Sequence, residues 1–254
     1  MKFKLVVWPL TAVVLGCAAL AHAAGPVQMK NPLYGDPKHP NISGMWNPEY
    51  AYFGPPIGGA AARRPPGPPP GAGAYTPPPI PQLTPPYAKR YAEWRHKFDT
   101  DGSQEPDSVT RCLAFGMARF GTMPVEIIQT PGQITMNLGV LHDIRRIYLD
   151  GVGHTVGADP SFNGDSVGHW EGDTLVVETN NIRAGTLDRN GVPYSDKMTA
   201  VERIRRVSPT RLEIVTTLTD PEAFVTPFTM KRDYVPMPPG SRFEEYLCEN
   251  NKDL

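Results

Sequence analysis

An all-β, antiparallel barrel of eight to ten strands, with one helix and a proline-rich arm on its N-terminal side, is the fold this sequence predicts. Three observations carry that expectation. Beyond Val109 the chain falls into short runs that alternate apolar and polar residues, with turn residues between them, which is the period of half-buried strands. Ahead of them, Tyr87, Tyr91, Trp94 and Phe98 recur at helical spacing. Residues 54–86 are too rich in proline and too poor in large apolar side chains to form a core element, so they are expected to be polyproline-like or disordered. A long meander left open exposes two unpaired edges, and closure removes both, so a barrel is preferred to a sandwich.

In chain order, residues 1–23 carry two lysines, an apolar run and small residues, the layout of an export signal. Ala21-His22-Ala23 suits ordinary signal peptidase, while Val14-Leu15-Gly16-Cys17 resembles a lipobox. The mature chain is therefore expected to be periplasmic or secreted, or else an outer-membrane lipoprotein held through Cys17. Residues 24–53 hold the first strand, Ile42–Trp46, and residues 54–83 form the linker. The domain proper, 84–254, opens with a helix from about Pro86 to Phe98, with Thr84 as N-cap and Pro85 in the first helical position. The strands expected after it are Val125–Thr130, Gln133–Val140, Ile144–Leu149, Ser166–Glu171, Thr174–Asn180, Ala200–Val207, Leu212–Thr219, Phe228–Val235 and Phe243–Cys248. An exported chain meets an oxidising compartment, so Cys112 and Cys248, the cysteines left after Cys17, are expected to pair. A bridge closing so long a loop contributes about 4 to 5 kcal/mol by chain entropy.

Turn chemistry registers the hairpins. A two-residue turn at Gly172-Asp173 sets Glu171 opposite Thr174, Trp170 opposite Leu175, His169 opposite Val176 and Gly168 opposite Val177. Ser166, Gly168, Trp170, Leu175, Val177 and Thr179 then share the more apolar face, which belongs inside. The His169-x-Glu171 pair falls on the other face and reads as a surface pair rather than a metal or acid–base site. A turn at His142-Asp143 sets Val140 opposite Arg145, Leu138 opposite Ile147 and Met136 opposite Leu149, which places Arg145 on the apolar face. There it needs a partner, either Glu202 in a buried pair or an anionic ligand. A three-residue loop at Ser208-Pro209-Thr210 turns Glu202, Ile204 and Arg206 inward, whereas a four-residue loop turns Val201, Arg203, Arg205 and Val207 inward. Charge enters the barrel under both registers. Together with the small Ser166 and Gly168, this points to a partly polar cavity rather than a filled core.

The loop from Asp150 to Asp165 concentrates glycines, three acids and His154. His154 is the candidate proton-transfer residue, with Asp159 orienting it, because an imidazole titrates near neutrality. The alternative is that Asp159-Pro160 and Asn163-Gly164 shape turns and His154 is solvated. The 25 Lys+Arg stand against 26 Asp+Glu, and removing Lys2 and Lys4 with the signal leaves 23 against 26, a mildly acidic chain. With no clustered basic face, no nucleic-acid partner is expected. There is no G-x-S-x-G elbow, Walker A loop, dinucleotide fingerprint, H-E-x-x-H or Cys-x-x-Cys, so neither cofactor nor metal is expected.

Ser43-Gly44-Met45-Trp46, Arg145 to Gly151, the Ser166 to Val177 run with its W-E-G-D-T-L-V-V core, Val201-Glu202-Arg203 and Glu245 to Asn250 together resemble a family of uncharacterised exported bacterial proteins. That resemblance implies no activity and supports treating these strands as one domain. Gly44-Met45-Trp46 also resembles the G-x-W of the first strand in lipocalin-like barrels. There the tryptophan closes one barrel end and stacks with an arginine from a late strand, for which Arg232 or Arg242 is the candidate.

Three functions fit. The first is a barrel that binds a small, partly apolar and possibly anionic molecule inside, with Arg145, Ser166, Glu202 and Arg203 as polar contacts and Tyr148 and Trp170 as packing surfaces. The second is a cofactor-independent lyase, isomerase or hydrolase in which His154 or Glu202 moves protons beside Arg145. The third is an envelope interaction protein working through the proline-rich arm, which predicts a solid barrel with no pocket.

Overall fold

The computed structural model describes residues 36–49, 79–101, 108–120, 123–139, 141, 143–188 and 191–243. The export signal, the proline-rich arm, His142, Cys248 and all but the first residue of the expected Phe243–Cys248 strand lie outside them. In chain order the elements are β1 (Gly44–Pro48), α1 (Pro85–Asp101), a 3₁₀ turn (Ser108–Arg111), the short helix α2 (Met117–Phe120), β2 (Val125–Thr130), β3 (Gln133–Leu138), β4 (Ile144–Tyr148), β5 (Asp165–Glu171), β6 (Thr174–Asn180), β7 (Gly185–Thr186), β8 (Pro193–Tyr194), β9 (Thr199–Ser208), β10 (Arg211–Thr219) and β11 (Phe228–Pro236). Nine of these strands close into a barrel in the order β1-β11-β10-β9-β6-β5-β4-β3-β2, while β7 and β8 form a separate two-stranded ribbon.

The barrel is mixed rather than antiparallel throughout. β4 and β5 run parallel, with Ile147 opposite Ser166 and Tyr148 opposite Val167. A parallel neighbour must start at the same end of the barrel, so the chain from 149 to 164 crosses back along the wall instead of turning. The Gly172-Asp173 hairpin has the expected register from Glu171–Thr174 through Gly168–Val177. On β9 and β10, Leu212 faces Arg206, Ile214 faces Ile204 and Thr216 faces Glu202, with an irregularity at Arg211/Leu212. The β3–β4 register differs from the expected one: Met136, not Val140, faces Arg145. Leu141 adopts a left-handed backbone (φ 55°), and the Asp143 carbonyl accepts the Leu138 N–H, so the strands part earlier than a two-residue turn allows. The displacement is even-numbered, so Arg145 keeps its inward face.

β1 closes the barrel between β11 and β2. Trp46 is buried there, its Nε1 donates to the Ile42 carbonyl at 3.0 Å, and the Arg206 guanidinium lies 5.4 Å from the ring centroid. Arg232 and Arg242 are the candidates from sequence for an arginine on the tryptophan; the one found there is Arg206, whose two terminal nitrogens donate to the carbonyls of Asn41 and Pro209 and are held in place. Ile127, Ile134, Met136, Ile147, Leu175, Val177, Ile204, Leu212, Ile214 and Tyr234 pack around Trp46 as the barrel core. A second cluster, with Met117, Ile182, Val192, Tyr194, Met198, Leu218 and Phe224, lies under α1. α1 starts where expected, since the Thr84 carbonyl accepts the Ala88 N–H. The Thr84 hydroxyl donates to the Glu222 carbonyl, which ties the helix start to the 220–225 segment.

Two glycines with left-handed backbones separate conformational from steric cost. An added Cβ at Gly172 (φ 61°) meets nothing within 4 Å, whereas at Gly164 (φ 66°) it would lie 2.5 Å from the Asn180 carbonyl oxygen and 2.8 Å from Ile182. In urea unfolding, Gly172→Ala is expected to cost about 1 kcal/mol and Gly164→Ala about 3 kcal/mol; equal losses would contradict the close approach of the crossover to β6.

Candidate functional site

Alternation along β4, β5, β6 and β9 brings Arg145, Ser166, Thr179 and Glu202 together inside the barrel. Arg145 is 1 % exposed. Its Nε and Nη2 donate to the Ser166 hydroxyl at 3.2 and 3.1 Å, and Nη2 also donates to Thr179 Oγ1 at 2.9 Å and to Glu202 Oε2 at 2.5 Å. Nη1 has no partner among the described residues. Of the two partners open to Arg145, the structure supplies Glu202. A paired charge surrounded by close-packed apolar groups is a structural element of the core.

The apolar side chains around the pair are excluded from solvent. The room left by Gly168 is taken by neighbours: a Cβ there would lie 3.0 Å from both Ile147 Cγ2 and Leu149 Cδ2. At Gly168 the missing side chain makes room for branched ones across the sheet. Tyr148 and Arg203 lie on the outer face, the latter donating to Glu171 at 2.8 Å. That bond, then one from His169, holds the Glu171 carboxyl below its ordinary pKa, as befits a surface cluster. Trp170 faces inward at the barrel end and stacks on His39 with centroids 4.9 Å apart.

His154 does not pair with Asp159, which is exposed. Its Nδ1 lies 3.3 Å from Asp165 Oδ2, an oxygen that also accepts the Thr155 N–H. Asp165 and Ser166 are consecutive in β5, so their side chains leave opposite faces. His154 is accordingly on the outer side and Arg145 on the inner, and the two are not brought together for proton transfer. Among the described residues no group of three or more His, Cys, Asp or Glu side chains is placed to hold a metal ion.

An open cleft lies outside the barrel. A cleft of about 730 Å³ lies against α1, lined by Arg90, Glu93, Trp94, His96 and Lys97 of that helix, Ser108 and Arg111 of the 3₁₀ turn, Phe115, Phe162 from the crossover, and Ala184, Gly185, Thr186, Pro193 and Tyr194 of the ribbon. Its volume falls in the range of small-molecule sites. Glycines seat two of its aromatic walls: a Cβ on Gly191 would collide with the Trp94 ring, and one on Gly185 would lie 2.8 Å from the Tyr194 hydroxyl. The Gly116 N–H donates to Asp143 Oδ2, and the Met117 N–H to the Phe162 carbonyl, which fixes the crossover beside α2. Guanidinium groups back two rings, Arg119 at 4.9 Å from Phe115 and Arg183 at 5.3 Å from Phe162. Trp94 is buried, and its Nε1 has no partner among the described residues. Burial pushes the Tyr194 phenol up to about 12, with Arg119 opposing.

Sequence reasoning did not find this cleft. The helical aromatic stripe pointed to Trp94, but the other walls come from four short segments with no periodicity to mark them. No family model, curated protein or solved structure matches the chain.

Two measurements check these assignments. Glu202→Gln leaves a buried, unpaired guanidinium and is expected to cost about 3 to 5 kcal/mol in urea unfolding, whereas Arg145→Met with Glu202→Leu recovers most of that loss; a mild single-variant loss would contradict the buried pair. Tyr194 is neutral in both states below pH about 10. Between there and about 12 the unfolded phenol ionises while the folded one keeps its proton, so stability falls as pH rises. The urea midpoint is expected to drop between pH 9 and 11.5 and to drop less in Tyr194→Phe; identical slopes would contradict the burial of the phenol.

Proposed function

We propose that this is an exported β-barrel protein that binds a small, partly apolar molecule, and that the molecule sits in the cleft beside α1 rather than inside the barrel. The observation that supports this most is the cleft itself, about 730 Å³ of open space walled by Trp94, Phe115, Phe162 and Tyr194. Export rests on residues 1–23, and the same oxidising setting underlies the proposed Cys112–Cys248 disulfide. Separation of His154 from Arg145 favours binding over proton transfer at that pair.

An interaction protein working through its proline-rich arm needs no cleft. Titrating the mature chain with naphthalene-2-carboxylate and naphthalene-2-carboxamide, followed by tryptophan fluorescence, separates the two. Binding of at least one probe below about 1 mM is expected, weakened about tenfold by Phe162→Ala and unchanged on deletion of residues 54–83. No binding, or binding indifferent to Phe162→Ala, would sink the reading.

A further inference from the structure

Resting on that cleft reading, we infer that the occupant is an anion, with an acidic oxygen head group on a flat apolar body. The carrying observation is the charge of the cleft's lining, in which Arg90, Lys97 and Arg111 stand with one carboxylate, Glu93. Acids outnumber bases in the chain, and several surface cations have carboxylate partners: Arg95 with Asp99 at 2.7 Å, Arg203 with Glu171 at 2.8 Å, Arg205 with Asp173 at 2.8 Å, Arg211 with Asp233 at 2.9 Å, and Lys231 with Glu213. The cleft's own Arg90, Lys97 and Arg111 have no ion pair among the described residues. Arg90 spends its guanidinium on the Tyr87 ring at 5.1 Å. The single carboxylate in the lining, Glu93, is drawn to Lys89 on its far side at 3.9 Å.

Three cations without an ion pair among the described residues thus stand around an aromatic floor, and Arg119 and Arg183 lie behind two of its rings. Like charges gathered without counter-charges repel one another, and an arriving anion relieves that repulsion while its apolar body covers Trp94 and Phe162. The rim cations are exposed, so each contributes modestly and is screened by salt. Selectivity for charge comes from their sum.

The naphthalene pair tests this directly, because the two probes share shape and differ in charge. At low ionic strength the carboxylate is expected to bind about tenfold more tightly than the carboxamide. Arg111→Ala and Lys97→Ala are each expected to weaken the carboxylate about threefold with the carboxamide unmoved. Arg205→Ala, on the outer wall of the barrel, changes neither. Equal affinity for both probes, or equal loss of both in Arg111→Ala, overturns the anion inference and leaves the cleft as a binding site; failure of both probes to bind overturns the cleft reading as well.

Discussion

One guanidinium organises this barrel. Arg145 faces an apolar interior, where a lone cation would be costly, and it is tolerated because Ser166, Thr179 and Glu202 converge on it from β5, β6 and β9. The seam it bridges is the one with least backbone support. β4 and β5 have two paired positions, Ile147–Ser166 and Tyr148–Val167, whereas β5 and β6 are paired along their whole length. A side chain that leaves β4 and bonds across β5 to β6 and β9 fastens the parallel junction and sets its register. A buried pair of this kind stabilises little against an apolar replacement of the same volume; its value lies in excluding other registers, in which the charge would have no partner.

The cleft lies outside the barrel wall. The chain between β6 and β9 leaves the barrel wall to form the β7–β8 ribbon, and α1 with the 3₁₀ turn lies against it. These added segments have their own apolar cluster under the helix and leave a cleft along its side. The barrel is the rigid platform, and the variable connections carry the open site, the usual division between scaffold and loops.

How much of this was legible in the sequence follows from the range of each signal. Alternation and the Gly172-Asp173 turn act over a few residues, and they placed Trp170, Leu175, Val177, Ser166 and Thr179 on the inner face with the correct partners. The inward Arg145 followed from parity alone and survived a wrong β3–β4 register, because the displacement was even. Gly168 by itself does not mark open space, because packing across strands is not local: Ile147 and Leu149 occupy the room that a glycine leaves when its strand is viewed alone. The direction of β5 could not be read either, since a long connection returns to either end of a barrel with equal ease. The cleft was hidden for a related reason, its walls being short segments far apart in the chain, joined only by the fold.

The account turns on where a small molecule goes when it is offered both a charged barrel centre and an aromatic cleft. A crystal structure of the mature protein soaked with naphthalene-2-carboxylate answers that. The account predicts density for the ring between Trp94, Phe162 and Tyr194 with its carboxylate toward Lys97 and Arg111, and an Arg145–Glu202 pair left undisturbed. Density inside the barrel, with Arg145 swung from Glu202 onto the probe's carboxylate, would contradict it.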